Sequence, residues 1–135
     1  MAVKWAIHAS SEEAAFLLEA AIIYREARNF QAARDILEGV RALFPKHEVP
    51  EIILGTVEFQ AGNFDAAEAH YLKALELNPR SAYAHAHLGE TCLFRKDKEG
   101  ARKHLKNSVA LDPLGEYGKM ARKLMELTDK VNFAA

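Results

Sequence analysis

Six histidines and a single cysteine are the groups in this 135-residue chain most able to do chemistry. Histidine binds metals and moves protons near neutral pH, so the spacing of these residues decides whether a site can form. His85 and His87 are two apart, which on a helix separates them by about 200° around the axis and keeps them from sharing one ligand site. His70 and His104 hold equivalent places in two successive units of a sequence repeat, and are expected to lie near each other on the outer side of the fold. A metal held by that pair needs further ligands, and no convincing set surrounds them. Cys92 reads as a small buried hydrophobe rather than a nucleophile. No glycine-rich phosphate loop, nucleophile elbow or paired-carboxylate arrangement is visible. The expectation is a protein that is not an enzyme, with no metal and no cofactor.

Composition narrows the class further. The chain is 50% hydrophobic and 27% charged, with 7 Gly and 4 Pro, which excludes collagen-like, low-complexity and disordered sequences. Its 18 basic and 19 acidic residues leave a net charge of −1, with no global pull toward nucleic acid or an anionic membrane. One cysteine makes no intrachain disulfide and fits a cytoplasmic location. The opening MAVKWAIHAS is too short and too polar for a signal peptide's apolar core. The longest apolar stretch, residues 14–24, is interrupted by Glu19 and falls short of a membrane span. Basic residues gather late in the chain, at Arg95, Lys96, Lys98, Arg102, Lys103 and Lys106. This cluster reads as a solvated helix face, with docking of an acidic partner as the alternative.

One constant period organises the sequence. Pro45, Pro79 and Pro113 are evenly spaced, and Ala33, Ala67 and Ala101 keep the same step. Ala21, Gly55 and Gly89 form a column of small residues, and Leu37, Tyr71 and Leu105 a column of large ones. Each unit reads as two helices joined by a short turn, such as Gly62-Asn63, and ended near a proline. The small residues let two antiparallel helices approach closely.

In its middle unit, Leu54, Gly55, Gly62, Phe64, Ala67, Tyr71, Ala74, Leu75 and Pro79 resemble the tetratricopeptide repeat. Arg28 and Lys96 depart from the pattern where the family prefers a turn glycine, Lys98 replaces the turn aromatic, and Glu58 stands where an aromatic is usual. The resemblance implies an all-α fold of three helix-turn-helix repeats in a right-handed superhelical solenoid. The repeats fall at about 14–47, 48–81 and 82–115 in a single domain spanning 1–135. An amphipathic capping helix at about 116–131 presents Tyr117, Met120, Leu124 and Leu127. Ser10 or Ser11 offers the first N-cap. Trp5 and Ile7 can fold back on the first helix or mediate self-association, and the final NFAA is expected to fray.

The resemblance further implies that the first helix of each repeat lines a concave groove. By register the groove takes Leu18, Ile22 and Arg25, then Ile52, Ile53, Thr56, Phe59 and Gln60, then Tyr83, His87, Glu90, Leu93 and Phe94, with Tyr117, Met120 and Leu124 of the capping helix closing one end. This lining is apolar enough to mark an interaction site, and the expected partner is a protein or peptide, an amphipathic helix or apolar segment. Glu19, Glu26 and Glu90 would add an acidic rim favouring partners with some Lys or Arg. The alternative is a structural self-assembler, a homodimer or a chain whose own termini fill the groove. Relatives that hold the tail of heat-shock chaperones use a Lys/Asn/Arg clamp. Here the clamp positions are Leu18, Ile22, Ile53, Tyr83 and His87, so that role is not expected. Small three-repeat chaperones of type III secretion resemble this chain in size and groove character.

Overall fold

The structure, a computed structural model, describes residues 11–130. Trp5, Ile7, Ser10 and the terminal NFAA lie outside the described residues. Seven helices follow in order among those described: α1 (Ser11–Glu26), α2 (Phe30–Leu43), α3 (Glu48–Gln60), α4 (Phe64–Leu77), α5 (Ala82–Phe94), α6 (Lys98–Leu111) and α7 (Glu116–Lys130). Helices α3, α5 and α7 start one sequence period apart, as do α2, α4 and α6.

The turns show why the boundaries fall there. Each even helix opens on an Asx residue, Asn29, Asn63 or Asp97. Asn29 Oδ1 accepts from Ala32 N at 3.2 Å and Asp97 Oδ1 from Gly100 N at 2.9 Å. These bonds satisfy amides that the first turn of a helix leaves unpaired. Asn63 makes no such cap, because its Nδ2 donates to Glu58 Oε1 at 2.8 Å. The residue before each cap is left-handed: Arg28 at φ 62°, Gly62 at φ 87° and Lys96 at φ 63°. Arg28 and Lys96 thus accept the conformation the family gives to glycine, at roughly 1–2 kcal/mol each. Amides of Asn29, Asn63 and Asp97 close the preceding helices onto the carbonyls of Tyr24, Glu58 and Cys92 at 2.8–2.9 Å.

Within each repeat the two helices meet through one small and one large residue. Ala21 and Leu37 are fully buried together in the first. A Cβ placed on Gly55 would lie 2.4 Å from the Tyr71 ring, and one on Gly89 2.6 Å from the Leu105 side chain. Odd-numbered helices also touch one another, α1 with α3, α3 with α5 and α5 with α7, and so form an inner row. Helix α7 also packs on α6, closing the core around Cys92, Ala101, Leu105 and Ala121.

Polar struts join successive repeats. Arg34 grips Glu58 with two bonds, Nε to Oε2 at 2.7 Å and Nη2 to Oε1 at 3.0 Å. The Arg34 guanidinium holds the buried Glu58 carboxyl below the usual carboxylate range, and Glu58 raises Arg34 in turn. So the position where the family prefers an aromatic carries a buried carboxylate paired with a partly exposed arginine here.

The 2.4 Å approach at Gly55 sets a test. Gly55→Ala should destabilise by about 1–3 kcal/mol through overpacking. Because the first repeat accommodates Ala21 against Leu37, the cost should shrink in a Tyr71→Leu background. Urea unfolding of the four proteins measures the coupling, and strictly additive effects would contradict this packing account.

Candidate functional site

The inner row carries a cavity of about 320 Å³ lined by residues of α1, α3, α4, α5 and α7. Thr56, Phe59, Tyr83, His87 and Glu90 all line it, joined by Arg25, Gln60, Tyr71, Glu116 and Tyr117. Tyr83 and Tyr117 occupy the same register position in successive inner helices, one period apart, and their rings stack at 4.5 Å and 13°. Helix α7 therefore occupies the place of the first helix of a fourth repeat. His87 meets Tyr83 edge-on at 5.1 Å and stacks over Tyr71 at 6.0 Å. Its Nδ1 lies 3.2 Å from Glu90 Oε1.

The chemistry of this cavity is more polar than the sequence implies. Arg25 Nη1 donates to Thr56 Oγ1 at 2.7 Å and Nη2 to Glu26 Oε1 at 2.9 Å. Arg25 Nε and the Tyr71 hydroxyl are buried without a hydrogen-bond partner among the described residues. Thr91 lies beside the Tyr71 hydroxyl, but no bond of acceptable geometry joins them. Burial raises Tyr71 and Tyr83 above the ordinary phenol value and Tyr117 to about 12, so all three stay protonated donors at neutral pH.

The other expected groove residues go elsewhere. Ile52 is fully buried against Tyr71, Ala74, Ala84 and Leu88 and is no surface anchor. Its position in the period faces the next repeat rather than solvent, and the concave row passes through Thr56 and Phe59. Ile53 is likewise buried, in the first core cluster. Leu18 lines a small pocket of about 140 Å³ with Val40, Phe44 and His47. Ile22 and Leu93 pack, half-buried, on the first and third core clusters. Phe94 is exposed at the end of α5, in an aromatic cluster with Phe59 at 4.9 Å and Phe64 at 5.8 Å. The contiguous apolar patch is thus broken up. Glu116 and Tyr71 are the lining residues that sequence reasoning missed, while Tyr117 of α7 stands at the end of the cavity where it was expected.

The histidines pair within repeats. His70 Nδ1 lies 2.9 Å from buried Glu51 Oε1, and at the equivalent place His85 Nδ1 lies 3.1 Å from His104 Nδ1. His70 and His104 thus each partner the preceding inner helix. His85 Nε2 faces the Pro79 carbonyl at 3.2 Å. A carbonyl only accepts, so His85 is protonated on Nε2 and its Nδ1 accepts from His104 Nδ1–H. Among the described residues no group of three or more His, Cys, Asp or Glu could hold a metal. Buried Cys92 is pushed up to about 11 by desolvation and by Asp97, which keeps it a thiol. In the basic cluster, Arg95 pairs with Asp65 and Arg102 with Asp129. No described helix is long and apolar enough to cross a membrane.

Comparison with known proteins agrees with this architecture. Profiles described as Tetratricopeptide repeat match residues 15–47 and 54–116. The chain belongs to the tetratricopeptide repeat family. Similar solved structures include the Yersinia enterocolitica type III secretion translocator chaperone SycD (TM-score 0.79, 15% identity, 90% of this chain and 92% of that one). SycD in complex with a peptide of the translocator YopD is also similar (TM-score 0.76, 16% identity, 90% and 95%). So is the first such domain of Spaghetti (RPAP3), bound to the HSP90 peptide SRMEEVD (TM-score 0.77, 20% identity, 91% and 95%). At these identities the likeness is one of fold. No curated protein matches the sequence at a significant level.

The histidine pair makes stability depend on pH. Burial lowers His85, and burial with His85 and Lys103 nearby pushes His104 down to about 4. Unfolded histidine takes a proton near pH 6.5, so stability is complete above that value and falls as pH drops toward the folded value. Between pH 7 and 5 the loss from His104 should be about 2 kcal/mol in urea unfolding. Leu17 and Ile36 hold the equivalent places in the first repeat, so His85→Leu with His104→Ile should flatten the dependence. An unchanged slope in that variant would assign the acid sensitivity to other groups.

Proposed function

We propose that this chain is a non-enzymatic protein-binding module, an adaptor or chaperone, whose concave face receives a peptide segment of a partner. The observation that carries the reading is the 320 Å³ cavity on the inner row, walled by aromatic rings and holding buried polar groups without partners among the described residues. A pocket of this size takes one or two side chains. The likeness to SycD and Spaghetti, whose structures hold short peptides, supports the same use of the fold here. The lining favours an amphipathic segment over a wholly apolar one, because Arg25, Gln60, His87, Glu90 and Glu116 share the cavity with the aromatic rings. The heat-shock tail is not the expected ligand, since no Lys, Asn or Arg stands at the five clamp positions.

A second reading, self-association, has its own support. Phe16 and Ile23 are 71% and 67% exposed on α1, one heptad apart and beside exposed Tyr24. Such a row on α1, the first of the described helices, is a surface a second copy could cover. Sedimentation across a hundredfold concentration range separates the two, and a constant monomer mass would exclude self-association.

Gln60 is exposed at the cavity's edge, so Gln60→Trp should obstruct the groove without disturbing the core. Peptides selected by the wild-type chain from a random displayed library should bind Gln60→Trp about tenfold more weakly by fluorescence anisotropy. Lys73→Glu, on exposed α4, should bind them as wild type does. Equal affinity for all three proteins would place binding outside the groove.

A further inference from the structure

We propose that the groove selects a partner segment carrying a lysine or arginine followed by a large apolar residue, an inference that rests on the groove reading above. The cavity and an open groove of about 680 Å³ between α5 and α7 share two lining residues, Glu90 and Glu116. Their carboxylates therefore stand where one recess passes into the other. Among the described residues no lysine or arginine is ion-paired with either, and the contact of Glu90 is with His87. Arg25, the one Lys or Arg in the cavity lining, has its Nη atoms committed to Thr56 and Glu26. The lining thus carries two carboxylates against one occupied guanidinium.

The rings beside these carboxylates are of the kind that accept a cation. Tyr83 and Tyr117 stack in parallel, with His87 edge-on to Tyr83. An ammonium or guanidinium over a tyrosine face is attracted by the ring as well as by the nearby carboxylates. Partial enclosure strengthens both terms relative to open water. Beyond Glu90 and Glu116 the second groove presents Met120 and Leu124, flanked by Lys119 and Lys123. Met120 and Leu124 accept an apolar side chain, and the two lysines disfavour a second basic residue there. The segment that fits is a basic residue and then an apolar anchor, not a uniformly basic run. An acidic segment meets two carboxylates and is repelled.

Random twelve-residue peptides displayed on phage, selected in parallel against the full chain and against Glu90→Gln/Glu116→Gln, test this. The wild type should enrich Lys or Arg at one position with a large apolar residue within the next three. The double variant should keep the apolar preference and lose the basic one. A peptide-side substitution makes the test independent of the variant's folding, which circular dichroism monitors. Replacing the enriched Lys by norleucine should weaken wild-type binding about tenfold, and replacing the enriched apolar residue by Ala should weaken it similarly. On the folded double variant, the norleucine change should cost less than about twofold. Wild-type peptides without a Lys or Arg position, or equal norleucine losses on both proteins, would overturn the proposal while leaving peptide binding intact. If the wild type enriches no peptide, the groove reading and this inference fall together.

Discussion

Close approach of the two helices within each repeat is the constraint from which the rest follows. Alanine at 21 and glycine at 55 and 89 let Leu37, Tyr71 and Leu105 lie directly against the neighbouring helix. That contact fixes the distance and rotation of each pair. With the pair fixed, successive repeats must stack at a constant step, and residues one period apart fall into line on the inner row. Tyr83 and Tyr117 stack because both inherit the same orientation. A larger residue at 55 would disturb not only one interface but the alignment of the whole cavity wall.

Polar groups within this frame divide into structural and exposed sets. Arg34 with Glu58 and Arg41 with Glu51 tie α2 to α3, each a partly exposed arginine on a buried glutamate, so that removing Arg34 strands the Glu58 carboxylate. Glu51–His70 and His85–His104 repeat one arrangement in two units, with different chemistry at the same places. These contacts place His70, His85 and His104 in the packing between the two helices of a repeat. Around the cavity, Glu90, Glu116 and Gln60 stand at the wall, and Arg25 Nε and the Tyr71 hydroxyl are buried behind it without partners among the described residues.

The fold was legible in the sequence because one period shared by prolines, small residues and large residues leaves few alternatives. Helix α7 was legible from its amphipathic spacing. The turn departures at Arg28 and Lys96 did not weaken the fold, since both residues take the left-handed conformation of glycine. The site was only half legible. Thr56, Phe59, Tyr83, His87 and Glu90 follow from register alone. Ile52 fails because register assigns a side of the helix, while burial depends on how close the next repeat packs against that side. The bond from Arg25 to Thr56 was hidden because it spans 31 residues, a contact no local pattern encodes.

The most direct test of the account is an NMR titration of the ¹⁵N-labelled chain with a peptide selected by the wild-type protein. If the concave face is the binding surface, the perturbed amides should concentrate at Thr56, Tyr83, His87, Glu90 and Tyr117, on three successive inner helices. Perturbations confined to Phe16, Ile23 and Tyr24, or to the outer faces of α2, α4 and α6, would contradict it.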